Sequence, residues 1–448
     1  MLERFFSIRK RGSSIPQEIK AGITTFLTLS YILFIQPSVL SGRFLGTPTG
    51  MNEGAILTGT CIAAIIGTLL MGLYARLPIA QAPGMAENFF FLSAIFPAAT
   101  ALGLENGWQA ALGVVFFAAL IFLIFSLTGL SNQMIHAFSS SMKRALIVGI
   151  GFFIVLIGLQ NSDLISKSES FGFVFNKSFS SMSVLVFAVG LISGTVFRFK
   201  KVKSYILLSI LFSFLSAVCI HFWVPGKITF DFPSHIFSLP PSITPIFMKI
   251  DFIGALRLFP HIVILFVLSL FDAIGTLVAV TTKADLIKNN KITNARQASI
   301  SNPLAALIGS FLGMSTVTSY MESLAGVEEG GRTGLTSVTV ASLFLLSLFL
   351  FPLIAMIAQY PPITAPALIL VGAMMIKAVR EMDWSDYTET IPSLLIIISI
   401  PLFFSIATGI GIGLVAYPIL KLLTGRWKEL NPYNITLGAF FLLYFTLI

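Results

Sequence analysis

Three acidic residues stand in stretches of this sequence that are otherwise apolar. Asp272 lies within residues 263–280, Glu322 follows Ser319-Tyr320-Met321, and Glu87 follows Gly84-Met85-Ala86. An ionised carboxylate that faces lipid costs several kcal/mol, so such acids usually face a bundle interior or a water-filled cavity. Their placement predicts a polar site inside a membrane, unless each acid only caps a helix or pairs with a basic residue.

Converging carboxylates of this kind could bind a small, flat, polar solute. Carboxylate oxygens accept hydrogen bonds from ring N–H and amino groups, while free backbone N–H groups at a helix start could donate to carbonyl oxygens. Desolvation disfavours the charged form of a carboxylate, so a buried acid can bind and release a proton. We expect Asp272 and Glu322 to couple a proton to the solute.

Two further acids, Glu328 and Glu329, stand beside Gly330-Gly331-Arg332. Glycines next to clustered charges are typical of a surface loop. We expect local ion pairing in this loop and assign these two acids no role in transport.

The acids at 87 and 322 belong to two interrupted segments. Residues 77–88 contain Pro78, Pro83 and Gly84, which cannot propagate a continuous helix. Residues 313–323 are rich in β-branched and hydroxyl side chains and are too short and polar for an ordinary span. Paired broken segments in the two halves of a transporter indicate a binding site near the bilayer midplane.

An internal repeat relates the two segments. Ala63-Ala64-Ile65-Ile66-Gly67-Thr68-Leu69-Leu70 is similar to Ala305-Ala306-Leu307-Ile308-Gly309-Ser310-Phe311-Leu312. The two stretches lie in spans two and nine, an odd number of spans apart, so the halves would have opposite orientations in the membrane. Chance similarity between small and aliphatic residues is the alternative explanation.

The composition is that of a membrane protein. Of 448 residues, 56% are hydrophobic and only 10% are charged, with a mean hydropathy of +0.93, whereas soluble domains carry about 25% charged residues. The net charge of +9 comes from short basic loops and does not indicate nucleic-acid binding. Cys61 and Cys219 lie in apolar segments, so we expect no disulfide, metal or cofactor. We also expect no removable signal peptide.

Window length predicts an all-α polytopic membrane protein with about fourteen transmembrane segments in a 7+7 inverted repeat. Segments 3 and 10 would be half-helices broken by short extended stretches. The predicted segments are 21–41, 53–73, 78–98, 108–128, 144–160, 181–198, 204–224, 260–282, 296–313, 315–328, 334–353, 361–378, 391–406 and 408–424.

These segments divide the chain into five parts. We expect a cytoplasmic N-terminal segment 1–20, a first repeat 21–224, an extracytoplasmic connection 225–259, a second repeat 260–424 and a tail 425–448. Within the tail, residues 435–448 are apolar and could form a surface or partial helix.

Basic residues recur in alternate loops, as expected when one side of the membrane is cytoplasmic. This pattern places the N-terminus in the cytoplasm. The residues are Arg4, Arg9, Lys10, Arg11 and Lys20, then Arg76, Lys143, Arg144, Arg198, Lys200, Lys201, Lys203, Lys283, Lys288, Lys291, Arg296, Arg332, Lys377, Arg380, Arg426 and Lys428.

Several stretches along the chain carry a family resemblance. They are Ala21-Gly22-Ile23-Thr24-Thr25-Phe26-Leu27-Thr28 with Tyr31-Ile32-Leu33-Phe34; Gly67-Thr68-Leu69-Leu70-Met71-Gly72-Leu73-Tyr74-Ala75; Ala82-Pro83-Gly84-Met85 with Asn88; Phe271-Asp272 with Ile274-Gly275-Thr276-Leu277-Val278; Ser315 to Tyr320 with Glu322-Ser323; Gly330 to Thr336; and Pro366 to Ala373. In these stretches the sequence resembles the second nucleobase–cation symporter (xanthine/uracil permease) family, in its azaguanine-like hypoxanthine/guanine permease branch. Residues 322–336 are the most specific part.

The resemblance implies a fold and an activity. It implies a core domain of spans 1–4 and 8–11, a gate domain of spans 5–7 and 12–14, and a homodimer. It also implies proton-driven uptake of the purine nucleobases hypoxanthine, guanine and adenine across the cytoplasmic (inner) membrane, with no enzyme activity and no nucleic acid as partner.

Carried over by position, Asn88, Asp272 and Glu322 would line the purine site. The other candidate solute-binding residues are Glu87, Ser269, Thr276 and Ser323. Two of them depart from the family pattern, since close relatives usually have an acid where Ser269 stands and an apolar residue where Glu87 stands. Thr276 takes a place where other branches often have His or Asp. These departures leave the solute open.

Other functions remain as alternatives. A carrier of the same fold could take uracil, xanthine or an organic anion, although two acids at the site argue against anions. A channel is a second alternative. A membrane enzyme is a third, but His136, His221, His235 and His261 are scattered, and no nucleophile–base pair is visible.

Overall fold

The computed structural model of the protein describes residues 2–128, 139–168, 172–176, 181–224, 228, 230, 232–288, 291–403 and 405–447. Most of these residues are helical. In chain order the α-helices are α1 Leu2–Phe6, α2 Ile15–Leu29, α3 Ile32–Leu40, α4 Glu53–Leu69, α5 Met85–Phe90, α6 Phe96–Ala101, α7 Gly107–Thr128, α8 Ser140–Asn161, α9 Met182–Phe199, α10 Tyr205–Trp223, α11 Phe252–Arg257, α12 Phe259–Lys283, α13 Ala295–Phe311, α14 Ser323–Glu328, α15 Gly334–Ser347, α16 Phe351–Ala358, α17 Pro361–Ile376, α18 Tyr387–Phe403, α19 Ile406–Leu423 and α20 Pro432–Leu447.

Short elements interrupt the helices. The strands are β1 Gln81–Pro83, β2 Ile165–Ser168, β3 Gly172–Phe175, β4 Ile287–Lys288, β5 Lys291–Ile292 and β6 Val317–Ser319. π-Helical turns occupy Leu70–Ala75 and Phe91–Ile95, and 3-10 turns occupy Arg9–Arg11, Arg43–Leu45, Leu348–Leu350, Lys377–Glu381 and Trp427–Glu429. Both π-helical turns therefore lie close to β1 in the chain, and such turns are frequent near functional sites.

Within the described residues, nine helical stretches are long and apolar enough to cross a bilayer. They are Ile15–Leu40, Glu53–Ala75, Gly107–Thr128, Ser140–Asn161, Met182–Phe199, Tyr205–Trp223, Phe259–Lys283, Gly334–Ala358 and Pro361–Glu381. The chain is thus a multi-pass, mostly helical membrane protein, as predicted. The predicted segments 296–313, 391–406 and 408–424 form the shorter helices α13, α18 and α19, so the count of fourteen crossings stays a prediction.

The first long stretch is broken in its middle. α2 ends at Leu29 and α3 begins at Ile32, with Ser30 and Tyr31 between them and Pro37 inside α3. A proline removes a backbone donor and disfavours a straight helix. The break gives Tyr31, which is 2% exposed, a position deep inside the protein.

Helix packing divides the described residues into two groups. The core group contains α2, α3, α4, α7, α12, α13, α14 and α15 with β1 and β6, and the gate group contains α8, α9, α10, α17, α18, α19 and α20. The resemblance assigns the first group to a core domain and the second to a gate domain, and this assignment stays a prediction. The apolar tail is the helix α20, which packs along α19.

Candidate functional site

The two broken segments meet as a short antiparallel pair of strands. Gln81 lies opposite Ser319, Ala82 opposite Thr318 and Pro83 opposite Val317, and all six residues are buried. Hydrogen bonds from Gly84 N to Thr316 O (2.9 Å) and from Tyr320 N to Ala80 O (2.9 Å) lengthen the pair. Irregular backbone can lie this deep in a membrane protein because its polar groups bond within the protein.

A helix follows each strand. α5 begins after Gly84 and α14 begins after Glu322, so both strands lead directly into a helix start. The repeated stretches support this crossing, because Gly67 on α4 packs beside Gln81 and Val317, and Gly309 on α13 packs beside Val317 from the other side. Small residues at these positions let the helices approach the strands closely.

Glu322 lies at the start of α14 and is buried. Its Oε1 accepts a hydrogen bond of 2.8 Å from the hydroxyl of Tyr31, at the break between α2 and α3. The Tyr31 hydroxyl therefore fixes one oxygen of this carboxylate.

Asp272 lies in the middle of α12 and is partly exposed. α12 packs against β6, and the carboxylate of Asp272 interacts electrostatically with both Glu87 and Glu322. Ser269 and Thr276 lie three residues before and four residues after it, on the same face, and each is 2% exposed.

Glu87 lies on the first turn of α5 and is 1% exposed. Its Oε1 has no hydrogen-bond partner in the structure. Across the described part of the chain, the ion pairs include none with Glu87, Asp272 or Glu322. The structure therefore brings the three sequence-predicted acids together without a basic partner.

Asn88 is occupied by protein partners. Its amide faces the amide of Gln36 on α3, with 3.0 Å from Gln36 Nε2 to Asn88 Oδ1, and Ser315 Oγ donates to the same oxygen. Ser323 is also engaged, since its Oγ accepts from Ala80 N at 3.0 Å. Solute binding by Asn88 and Ser323 stays a prediction. In the structure both side chains form hydrogen bonds that connect the two broken segments with each other or with α3.

Several supporting residues escaped the sequence interpretation. Gln81 donates to Asn302 Oδ1 (2.9 Å), Ser319 donates to the same oxygen (2.8 Å), and the Tyr320 hydroxyl donates to Pro83 O (2.5 Å). Gln36 and Asn302 could have been identified from the sequence, because each is a polar side chain inside an apolar segment. For Tyr31 no comparable signal exists, because tyrosine is common in membrane helices.

Glu18 is a further buried acid that sequence reasoning did not single out. Its carboxylate accepts hydrogen bonds from Arg332 N (2.9 Å), Thr333 N (3.2 Å) and Thr336 Oγ1 (2.5 Å), beside the start of α15. This acid satisfies free donors at a helix start and so has a structural role.

Glu328 and Glu329 form ion pairs, as expected, but their partners are remote. Glu329 pairs with Lys20 (2.6 Å) and Lys203 (2.7 Å), and Glu328 lies 3.7 Å from Lys203 and 4.0 Å from Lys283. The hydrogen bonds from Lys20 and Lys203 lower the pKa of Glu329 to about 2. The expected local partner was wrong, because the Arg332 guanidinium donates to the carbonyl oxygens of Val327 and Gly331.

The arrangement at the crossing can accept hydrogen bonds from a polar solute and can hold a proton. In the described ranges no group of three or more His, Cys, Asp and Glu residues is placed to hold a metal ion. The groups that the crossing offers for chemistry are carboxylate oxygens, hydroxyl groups and the partly exposed side chain of Asp272.

Comparison with known proteins identifies relatives over the whole chain. Residues 16–414 match the xanthine/uracil permease model, described as a permease family. The guanine/hypoxanthine permease PbuG of Bacillus subtilis is 37% identical over 99% of this chain and 99% of its own. The adenine permease AdeQ of Escherichia coli is 36% identical over 99% of this chain and 95% of its own.

A solved structure shares the fold. The transmembrane domain of the cyanobacterial bicarbonate transporter BicA aligns with a TM-score of 0.61 at 16% identity, covering 86% of this chain and 96% of that domain. The helix arrangement is thus a known transporter fold.

Proposed function

The chain belongs to this permease family, and we propose that it is a secondary active transporter that takes up purine nucleobases together with protons across the cytoplasmic membrane. The observation that carries the proposal is the cluster of Glu87, Asp272 and Glu322 where the two broken segments cross. The names of the relatives PbuG and AdeQ support guanine, hypoxanthine and adenine as solutes.

Glu322 and Asp272 recognise the solute. A purine offers ring N–H and amino donors along one edge, and an ionised carboxylate can only accept hydrogen bonds. Tyr31 holds one oxygen of Glu322 and leaves the other available. Ser269 Oγ, which is buried and makes no hydrogen bond in the structure, and Thr276 complete the face of α12 toward the solute.

Fourteen crossings in a 7+7 inverted repeat provide the frame for this site. The antiparallel pairing of β1 with β6 supports it, because a twofold axis in the membrane plane relates two such segments in this way. The repeats would be residues 21–224 and 260–424, joined by the extracytoplasmic connection 225–259 and flanked by the N-terminal segment 1–20 and the tail 425–448. The working form is a homodimer.

Contacts between loops support the orientation with a cytoplasmic N-terminus. Lys20, Lys203, Lys283 and the neighbours Glu328 and Glu329 come from four regions predicted to be cytoplasmic, and ion pairs join them in one cluster. The connection 225–259 contacts the opposite ends of the spans, for example through Thr58 Oγ1 to Pro241 O at 2.9 Å and Asp251 N to Gln109 O at 3.1 Å.

The decisive test is uptake in a host that lacks its own nucleobase transporters. Radiolabelled hypoxanthine, guanine, adenine, uracil and xanthine are supplied with and without a proton uncoupler. We expect accumulation of at least one purine, abolished by the uncoupler. Failure of every nucleobase would overturn the proposed solute, and purine accumulation that the uncoupler leaves intact would overturn proton coupling.

A further inference from the structure

Lys203 is a point of contact between the gate group and the core group. It lies in the turn between α9 and α10, both of which belong to the gate group. Its ammonium pairs with Glu329 (2.7 Å) and Glu328 (3.7 Å) and donates to the carbonyl oxygen of Ala325 (3.2 Å). One cation of the gate group is therefore held by oxygens at the end of α14, a short helix of the core group.

No other ion pair of the described residues crosses between the two groups. Lys20 and Lys283 approach the same two acids from inside the core group. The remaining ion pairs join the end of α3 to α4 or lie within the gate group. The Lys143 ammonium of α8 also approaches the core group, 5.4 Å from the ring centroid of Phe271. Among these ion pairs, Lys203 is thus the link between the groups.

The turn that carries Lys203 is tightly closed. Lys201 has a left-handed φ of 61°, and Val202 N donates to Phe197 O at 2.9 Å, which ends α9. α10 begins two residues after Lys203, at Tyr205, which is 3% exposed. A short, hydrogen-bonded turn of this kind makes Lys203 move together with α9 and α10.

The acceptors at the end of α14 are fixed to the core group. Gly326 packs so closely against α2 that a Cβ there would collide with Thr25 Oγ1 and Ala21 O. The chain that follows is held by Glu18 on α2, which accepts a hydrogen bond from Arg332 N at 2.9 Å. The end of a helix also carries free carbonyl groups and a partial negative charge, which favour a cation. These acceptors therefore move together with α2.

α14 also connects this contact to the candidate solute site. It spans Ser323–Glu328, and Glu322 lies directly before its first residue. At a rise of about 1.5 Å per residue, a helix of 6 residues extends over about 9 Å. A relative movement of the two groups at Lys203 therefore takes place at one end of the helix whose other end carries the proposed solute-binding carboxylate.

We infer that Lys203 and Glu329 form a latch between the two helix groups, closed in this structure and open in another state of the transport cycle. This inference rests on the proposed secondary active transport, because such carriers expose their site to the two sides of the membrane in turn by moving one bundle against the other. An ion pair of 2.7 Å is lost when its partners move apart by several ångströms. The latch therefore opens and closes in every cycle.

Covalent cross-linking tests whether the latch must open. Lys203→Cys is combined with Glu329→Cys and with Cys219→Ser, which removes the exposed native thiol, while the buried Cys61 is kept. A short, reducible bifunctional thiol reagent joins the two new cysteines in proteoliposomes that contain the purified protein. We expect purine uptake before cross-linking, its loss afterwards, and its recovery after reduction. Uptake that survives complete cross-linking would overturn the inference.

Lys20→Cys with Glu329→Cys, in the same background, is the matched control. It uses the same acid and an ion pair of similar length, 2.6 Å, but it joins α2 to the end of α14 inside the core group. We expect uptake to continue after this pair is cross-linked. Loss of uptake in both cross-linked proteins would contradict the inference, because the contact of Lys203 would then not differ from a fixed contact within one group.

A measurement on the wild-type protein covers the case in which the cysteine variants do not fold or do not cross-link. A water-soluble carbodiimide activates carboxylates, an adjacent lysine then forms an amide, and mass spectrometry of peptides identifies the product. Glu329 can react with Lys203 or with Lys20. We expect the amount of the Lys203 product, relative to the Lys20 product, to fall when purine and a proton gradient drive transport. A ratio that does not fall contradicts the inference.

The outcomes separate the two proposals. A wild-type protein that moves no nucleobase defeats the proposed function. Purine uptake by the wild-type protein, together with uptake by the protein whose latch is cross-linked, defeats this inference alone.

Discussion

The two ends of α14 carry glutamates in opposite surroundings. At its start, Glu322 is buried beside Tyr31, Asp272 and Glu87 and has no basic partner. Just past its end, Glu329 forms ion pairs with Lys20 and Lys203 at the protein surface. Residues of one type only seven positions apart in the chain therefore face different chemical tasks.

The difference shows that partners, rather than residue type, decide what an acid does in this protein. Lys20 and Lys203 keep Glu329 ionised by lowering its pKa to about 2, so this acid holds the core group to the loop between α9 and α10. The acids at the crossing have hydroxyl neighbours and each other, which leaves oxygens for a solute and a proton. Substitutions of the acids at the crossing should therefore change solute binding, whereas substitution of Glu329 should change stability.

The largest effect is expected at the buried end. Glu322→Gln removes a charged acceptor from the purine, and hydrogen bonds to charged groups contribute about 1.5–3 kcal/mol, which corresponds to roughly a 10- to 100-fold loss of affinity. Competition by unlabelled purine in an exchange assay measures the change. Glu328→Gln is the matched control. An equal loss of purine affinity in both variants would contradict the proposal that only the acid at the start of α14 binds the solute.

A smaller effect is expected when the partner of Glu322 is removed. Tyr31→Phe keeps the ring but deletes the hydroxyl that donates at 2.8 Å, and one such hydrogen bond is worth about 1–2 kcal/mol. We expect a KM for purine raised roughly tenfold, with protein abundance in the membrane maintained. An unchanged KM would show that Tyr31 does not position Glu322 for the solute.

The smallest effect is expected at the surface end. Glu329→Gln breaks two partly exposed ion pairs, which contribute about 0–1 kcal/mol each, and should lower the thermal stability slightly without changing the affinity for purine. Unfolding followed in detergent by intrinsic fluorescence measures this change.

The pH dependence of that loss follows from the depressed pKa. The ion pairs stabilise the folded state above the ordinary glutamate value of 4.5, and their contribution disappears as the pH falls from 4.5 toward about 2. The stability difference between wild type and Glu329→Gln should therefore be constant from pH 7 to about pH 5. A difference that changed within this range would contradict the assigned pairing.

The same contrast explains what the sequence could predict. Asp272, Glu322 and Glu87 were found because a charge in an apolar stretch needs a reason to be there. Prolines and glycine predicted the break before α5, and hydroxyl residues predicted the one before α14. The pairing of β1 with β6 was not predicted, because strands of three residues separated by more than 230 positions have no local pattern that specifies a partner.

The sequence could not predict contacts with partners distant in the chain. Glu328 and Glu329 were expected to form ion pairs within their own loop, beside Arg332. In the structure they pair instead with lysines from three other regions of the chain. Asn88 was assigned to the solute by resemblance, and only the structure brings Gln36 against its amide. Local chemistry identified the polar residues, whereas their contacts depended on packing of the whole helix bundle.

One measurement tests the central claim most directly. Purified protein in proteoliposomes receives an inwardly directed proton gradient and radiolabelled hypoxanthine, guanine or adenine, and Glu322→Gln is compared with Glu328→Gln. We predict transient accumulation of purine above its external concentration for wild type and Glu328→Gln, and roughly tenfold less or lower for Glu322→Gln at purine concentrations below the wild-type KM. Accumulation by Glu322→Gln at the wild-type level would contradict the placement of the solute at the strand crossing.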